Sequence, residues 1–269
     1  MSIGGVNTLS TLNSTQKTIN SSIQKLATGS KHPSASYGPS DYAIVQRMNS
    51  NIGAIGQSNQ NTQTANSMLN VAAGATENVV SSLSSLREQL LKASNGTNSD
   101  ADRAALQDSV NQTIASINQT ARGATYNGMQ LLDGTQSVAV AGADGYDTVN
   151  LGNLSSEGLG LTDSQGNATI DLTDQTSISS ALDTVDSALE KALDQATDIG
   201  AAQQGMEYQS ANYMTQQEAL SGAASTMDDT DMAAEVTKLK SANVQQQFAL
   251  YATQMNMHNR ANVLSLLQQ

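Results

Sequence analysis

Side-chain chemistry in this chain is limited from the outset by two histidines, His32 and His258, and by the absence of cysteine. A zinc site on a helix needs two histidines a turn apart, as in H-E-x-x-H, and these two are far apart in different contexts. His32 stands in SKHPSASYGPS, where a lone imidazole reads as a solvated loop residue. His258 falls between Met255 and Val263 and reads as a packed or partly buried side chain, with Met255 and Met257 as adaptable packing residues. Carboxylates are abundant, but Asp183 and Asp186 share one charged helix face instead of forming an acid–base pair. The sequence carries no P-loop, no G-x-G-x-x-G after a strand and no G-x-S-x-G elbow. Asn-x-Ser/Thr triplets, as at Asn95 and Asn111, follow from a composition rich in those residues. The reading is of a protein that is not an enzyme and uses no cofactor and no metal.

The elements that would position any site are narrow. Only 38% of residues are hydrophobic and 3% aromatic, with no Trp and two prolines. Such a chain buries seams between helices more readily than a deep core. Net charge is -12, and it is unevenly placed. Residues 1–98 carry six basic and three acidic side chains, residues 99–230 carry three and nineteen, and residues 231–269 carry three and two. The acidic middle disfavours nucleic acid and suits a solvated outer surface, while the near-neutral ends can pack on copies of themselves. No stretch approaches the ~20 apolar residues of a spanning helix, so membrane insertion is not expected. MSIGGVNTLSTLN has neither a basic start nor an apolar run, so a cleaved signal peptide is not expected either.

Apolar residues recur in steps of three and four, the mark of one helix face. Near the start they are Ile3, Val6, Leu9, Leu12, Ile19, Ile23 and Leu26, before Gly29. Near the end they are Met232, Val236, Leu239, Val244, Phe248, Tyr251, Met255, Val263, Leu266 and Leu267. A terminal stripe with no local shelter needs cover from the other end of the chain or from another molecule. Leu9, Leu12, Ile19, Ile23, Leu26, Val244, Phe248, Tyr251, Met255, Val263, Leu266 and Leu267 are therefore the candidate assembly residues.

Between the ends run two longer stripes. One, after the breaker segment 30–40, passes through Ile44, Met48, Ile55, Leu69, Leu83 and Leu90, with Asn59, Thr62 and Asn66 as polar steps. The other passes through Leu182, Val185, Leu189, Ile199, Met206, Tyr213 and Leu220. Helices this long without internal caps point to a coiled-coil-like rod whose polar seam positions fix register. SNGTNSD at 94–100 is a turn, followed by a shorter helix through Leu106, Val110, Ile114, Ile117 and Ala121. Asn127-Gly128, Asp133-Gly134 and the alternating SVAVAG, DTVNLG and ATIDL predict a few β-hairpins. The plan is mirror-like. It predicts a mainly α fold: an elongated antiparallel helical rod with a small β-hairpin region and paired terminal helices. Its expected domains are a terminal helical pair (1–42 with 228–269), a rod (43–134 with 176–227) and an insertion (135–175).

NTLSTLNSTQKTINSSIQKLATGSK, SSLREQLLKASNGTNSDADRAALQ, ATYNGMQLLDG and SANVQQQFALYATQMNMHNRANVLSLL, in that order, resemble bacterial flagellin over nearly all the chain outside 135–175. The resemblance implies a secreted structural subunit that leaves through the flagellar export channel and polymerises with itself into the extracellular filament for swimming. Its implied partners are further copies, cap and hook-junction proteins, and an export chaperone on the C-terminal segment. With about forty residues between the helical halves, the chain has no room for large outer domains. A hook–filament junction protein of the same superfamily is the alternative, and a cytoplasmic coiled-coil scaffold the plainest one. The family's Toll-like receptor motif, L-Q-R-x-R-E-L, aligns with Leu83 to Gln89. Arg87 and Glu88 match, Ser85 stands for an arginine, Gln89 for a leucine, and Ser116 for a downstream glutamate. Loss of an arginine fork implies weak recognition.

Overall fold

A computed structural model describes residues 3–142 and 145–267. Among them the order is α1 (Ile3–Thr28), a 3-10 turn (Ala35–Tyr37), α2 (Pro39–Ala93) and α3 (Asp100–Gly123), then β1 (Thr125–Tyr126), β2 (Met129–Gln130), β3 (Ser137–Gly142) and β4 (Gly145–Asn150), then α4 (Gln175–Asp228) and α5 (Met232–Leu267). The fold is mainly α, with two small antiparallel strand pairs. The chain divides into two compact units, Met1–Gly53 with Glu218–Gln269, and Ala54–Gln217.

In the unit formed by Ala54–Gln217, the threes-and-fours stripes close a shared core. Leu69, Leu83, Leu86 and Leu90 of α2 are buried with Ile114 and Ile117 of α3 and Val185, Ala192 and Ile199 of α4. Polar seam residues tie the helices at defined heights. Ser210 Oγ bonds Asn59 Oδ1 at 2.6 Å, and Gln203 donates to Asn70 at 2.8 Å. α3 begins with a capping box, in which Ser99 accepts from the Asp102 N–H and Asp102 accepts from the Ser99 N–H. Asp174 caps α4 by accepting the Ser177 N–H at 2.8 Å. Asn127 (φ 49) and Gly128 (φ 80) form the turn between β1 and β2, as an Asn-Gly pair permits.

Among the described residues the expected hairpins appear as two strand pairs, β1–β2 at Asn127-Gly128 and β3–β4, the latter with Val138 and Val140 buried. ATIDL is not a regular strand: only its first residues pair, Ala168 bridging Thr162 and the Thr169 N–H donating to Leu161. Its alternate residues Ile170 and Leu172 are buried, and from Ile170 onward a side chain takes the partner strand's place. Gln107 of α3 donates to the Ile170 carbonyl (2.9 Å) and accepts the Leu172 N–H (3.0 Å). Just before it, Asp163 gathers the N–H groups of Gln165 and Asn167 into a closed turn.

In the other unit, α1 stops at Gly29 (φ 71), whose N–H still reaches Lys25. Asp231 starts α5 by accepting the N–H groups of Ala233 and Ala234. The breaks on either side are sewn together. Ser30 bridges Asp229, the Thr230 N–H donates to Gly29 (2.8 Å), and the Lys31 N–H donates to the Asp228 carbonyl. His32 belongs to this joint and corrects its reading as a solvated residue. Its side chain is 17% exposed, with Nδ1 3.4 Å from Asp228 and Nε2 3.6 Å from Asp41.

Candidate assembly surface

α1 and α5 lie antiparallel, and among the described residues their backbones approach within 8 Å along the pair. Small side chains allow this. The buried residues of the seam are Thr15, Ile19 and Ser22 from α1, and Glu235, Ala242 and Ala249 from α5. Ser22 Oγ donates to Glu235 at 2.6 Å, and Gln246 donates to Gln16 at 2.7 Å. Lys238 Nζ stands 3.7 Å from Glu235.

The large apolar residues of α5 point elsewhere. Val244, Phe248, Tyr251 and Met255 recur at steps of four, three and four and are 49%, 72%, 70% and 63% exposed. At 3.6 residues per turn they fall on the side of the helix away from Glu235, Ala242 and Ala249. Leu250 and Met257 are exposed as well, on the flank of the helix nearer the seam. Gln247, Phe248, Leu250, Tyr251, Ala252, Gln254 and Met255 form one open, largely apolar patch along this helix. On α1, Leu12 and Leu26 are half-buried and Ile19 is buried, whereas Leu9 and Ile23 are exposed. His258, read as a packed residue, is exposed. Val263, Leu266 and Leu267 lie in α5, but their side chains fall outside the described residues. The structure therefore separates two faces that one stripe had merged: a small-residue face inside the chain and an apolar face left open. Sequence reasoning missed the first because serine, threonine and alanine carry no hydropathy signal. The seven-residue recurrence of Glu235, Ala242 and Ala249 was the signal available.

The long-helix seam residues are placed as follows. Ile55, Leu69, Leu83, Leu90, Val185, Ile199, Met206 and Tyr213 are buried, and Ile44, Met48, Leu182, Leu189 and Leu220 are half-buried. In the receptor-like stretch Leu83 is buried, Gln89 half-buried, and Ser85, Arg87, Glu88 and Ser116 exposed. Ser85 and Ser116 line one polar groove between α2 and α3. Arg87 Nε bonds Asp186 at 2.6 Å, and that bond, with the carboxylate's charge, raises the guanidinium above its ordinary pKa. Gln89 donates to Thr113 at 3.2 Å. Among the described residues no three His, Cys, Asp or Glu side chains are grouped to hold a metal ion.

Residues 3–137 match the bacterial flagellin N-terminal helical region and residues 182–267 its C-terminal helical region. The chain belongs to the bacterial flagellin family. A flagellin from Halalkalibacterium halodurans is 30% identical, covering 91% of this chain and 90% of its own length. The flagellar filament 30.7 kDa core protein of Treponema maltophilum is 28% identical over 93% of this chain and 92% of its own. A solved chain described as a flagellar hook-associated protein from Vibrio parahaemolyticus superposes with a TM-score of 0.61 at 17% identity, over 72% of this chain and all of that one. That last likeness shows the fold. Flagellins are structural subunits of the bacterial flagellar filament, so this flagellin is a filament protein and not an enzyme.

Proposed function

We propose that the open α5 ladder, Val244, Phe248, Tyr251 and Met255, together with Leu9 and Ile23 of α1, is the surface on which copies of this chain stack into the filament. The observation that carries the reading is the exposure of Phe248 and Tyr251 while α5 already has a partner helix. Isolated exposed apolar residues are ordinary, but a contiguous row of them at helical spacing is the mark of an interaction surface. Both chain ends are close to electroneutral, so copies meet there without strong repulsion. Val263, Leu266 and Leu267 are included among the proposed assembly residues on their sequence alone.

The resemblance supports the remaining partners. The assembled filament stands outside the cell on a hook-junction protein and under a cap, after export with a chaperone on the C-terminal segment. The polar groove holding Ser85 and Ser116 makes this chain a weak ligand for a flagellin-sensing Toll-like receptor. A receptor-reporter assay tests that point, and potency equal to a motif-complete flagellin sinks it.

Seeded elongation tests the main claim. A chain ending before Val244 is expected to keep the fold of Ala54–Gln217, stay in the supernatant and leave seeds unextended. Growth of seeds by the clipped chain at the rate of the intact one refutes the reading.

A further inference from the structure

Two asparagines of this chain precede a glycine: Asn95, in the turn between α2 and α3, and Asn127, between β1 and β2. Such a pair can close on itself. The glycine nitrogen attacks the side-chain amide carbon, and a residue without Cβ obstructs that approach least. Closure needs a free attacking N–H, an amide NH2 free to leave and a backbone free to turn.

At Asn95 all three conditions hold. Asn95 and Gly96 are exposed, and among the described residues neither the Gly96 N–H nor the Asn95 side-chain NH2 has an acceptor. The Thr97 N–H donates to Asn95 Oδ1 at 3.3 Å. That bond turns the side-chain carbonyl towards the following backbone and draws electron density from the carbon to be attacked. The neighbouring candidate is held. Asn98 Nδ2 donates to the Lys92 and Ala93 carbonyls at 2.7 and 3.3 Å, and the Ser99 N–H that would attack it is bonded to Asp102 at 3.0 Å. Asn127 is exposed, but its φ of 49° and the 80° of Gly128 belong to a two-residue hairpin that pairs Tyr126 with Met129. Swinging the Gly128 nitrogen onto its amide would break that pairing.

We infer that Asn95 is a site of spontaneous covalent modification, passing through a cyclic imide to aspartate and isoaspartate, and that the fold spares Asn98 and Asn127. In the first step the Gly96 nitrogen bonds to Asn95 Cγ and gives up its proton to water. The Cγ–Nδ2 bond breaks, and Nδ2 takes up a proton and leaves as ammonia. Water then opens the ring. Cleavage at Cγ gives aspartate, and cleavage at the Asn95 main-chain carbonyl gives isoaspartate. The chain loses one ammonia and gains one carboxylate, with water as the only co-reactant. Either product sets a negative charge just past the last turn of α2, where the helix's own carbonyls disfavour it. Isoaspartate also takes the Asn95 carbonyl, which accepts the Asn98 N–H at 3.1 Å, out of the main chain.

Peptide mass mapping of the full-length chain, aged in mildly alkaline buffer, tests this. Asn95 is expected to convert at least about ten-fold faster than Asn98 or Asn127, the ratio that a barrier difference of about 1.4 kcal/mol gives. Unfolded in urea, Asn95 and Asn127 should convert at similar rates, since both precede glycine. Gly96→Ala, for which the turn has open space, should slow Asn95 in the folded chain by about ten-fold or more. Conversion of Asn98 or Asn127 as fast as Asn95 in the folded chain overturns the inference, and so does an Asn95 that stays intact. Aspartate without isoaspartate, or an unchanged rate in Gly96→Ala, overturns it too, because the amide would then be lost by direct hydrolysis. An Asn127 that stays slow in urea would show that the hairpin is not what spares it, and would overturn that half of the inference.

Discussion

Ser22 and Glu235, 213 residues apart in the chain, share a 2.6 Å hydrogen bond inside the α1–α5 seam. Glu235 is 9% exposed, and Ser22 is fully buried. A carboxylate this enclosed depends on its few donors, here one hydroxyl and, at 3.7 Å, Lys238.

Ser22→Ala removes the nearer donor and leaves a sheltered carboxylate short of one bond. Orphaning a buried group costs about 1–3 kcal/mol, so opening of this helix pair should become correspondingly easier. Amide exchange in α1 between Thr15 and Leu26 is expected to speed up by about 5- to 150-fold, at 1.4 kcal/mol per factor of ten. The double variant Ser22→Ala with Glu235→Ala should recover part of that, because neither orphan remains. Unchanged exchange in the single variant would mean that water already serves Glu235.

Phe248→Ser and Tyr251→Ser separate folding from assembly. At 72% and 70% exposure, neither ring supports the single chain, so denaturation should move by no more than about 0.5 kcal/mol. Burying each ring against a neighbouring copy is worth about 1.5–3 kcal/mol. The concentration needed to extend seeds should therefore rise by roughly ten-fold or more per substitution. Sedimentation after seeding reads the outcome, and elongation at the original concentration would count against the surface.

How far the sequence could be read follows from what periodicity encodes. Steps of three and four placed α1, α2, α3, α4 and α5 within a few residues, because a helix face leaves the same trace whatever it packs on. Gly29 and Asn127-Gly128 marked their turns because only positive φ satisfies those bends. Periodicity does not say which partner a face meets. Phe248 and Tyr251 gave the strongest signal on α5, yet the partner within the chain sits on Ala242 and Ala249. His32 in a Pro-Ser-Gly stretch looked solvated because its neighbours at the joint, Asp41 and Asp228, come from distant positions. ATIDL alternated like a strand, and its pairing with Gln107 involves a side chain that no strand pattern contains.

Gln107→Leu tests that substitute strand. The variant fills a similar volume but leaves the Leu172 N–H and the Ile170 carbonyl without their partner. A loss of about 1–3 kcal/mol for the stranded backbone groups is expected in chemical denaturation. Ile170 and Leu172 should also become more accessible to protease cleavage nearby. Stability equal to the parent would show that Ile170 and Leu172 are held by burial alone.

Acid should act on the Ala54–Gln217 unit through four aspartates, of which Asp102 and Asp174 are exposed and Asp133 and Asp163 half-buried. Side-chain and backbone bonds from Ser99 hold Asp102 below its ordinary value, and Thr135 does the same for Asp133. Asn167 depresses Asp163, and the Ser177 N–H depresses the capping Asp174. A carboxyl with a lower pKa folded than unfolded binds fewer protons in the native state. Its contribution is therefore complete above the unfolded value of about 3.9 and is lost as pH falls through the folded value. Melting temperature should be level from neutral pH down to about 4 on this account and decline below it. Replacing the four by asparagine keeps an acceptor oxygen at each turn and removes the titration. The acid decline should then flatten, even where the neutral-pH melting temperature drops slightly. An undiminished decline in the fourfold variant would assign acid sensitivity to other carboxylates.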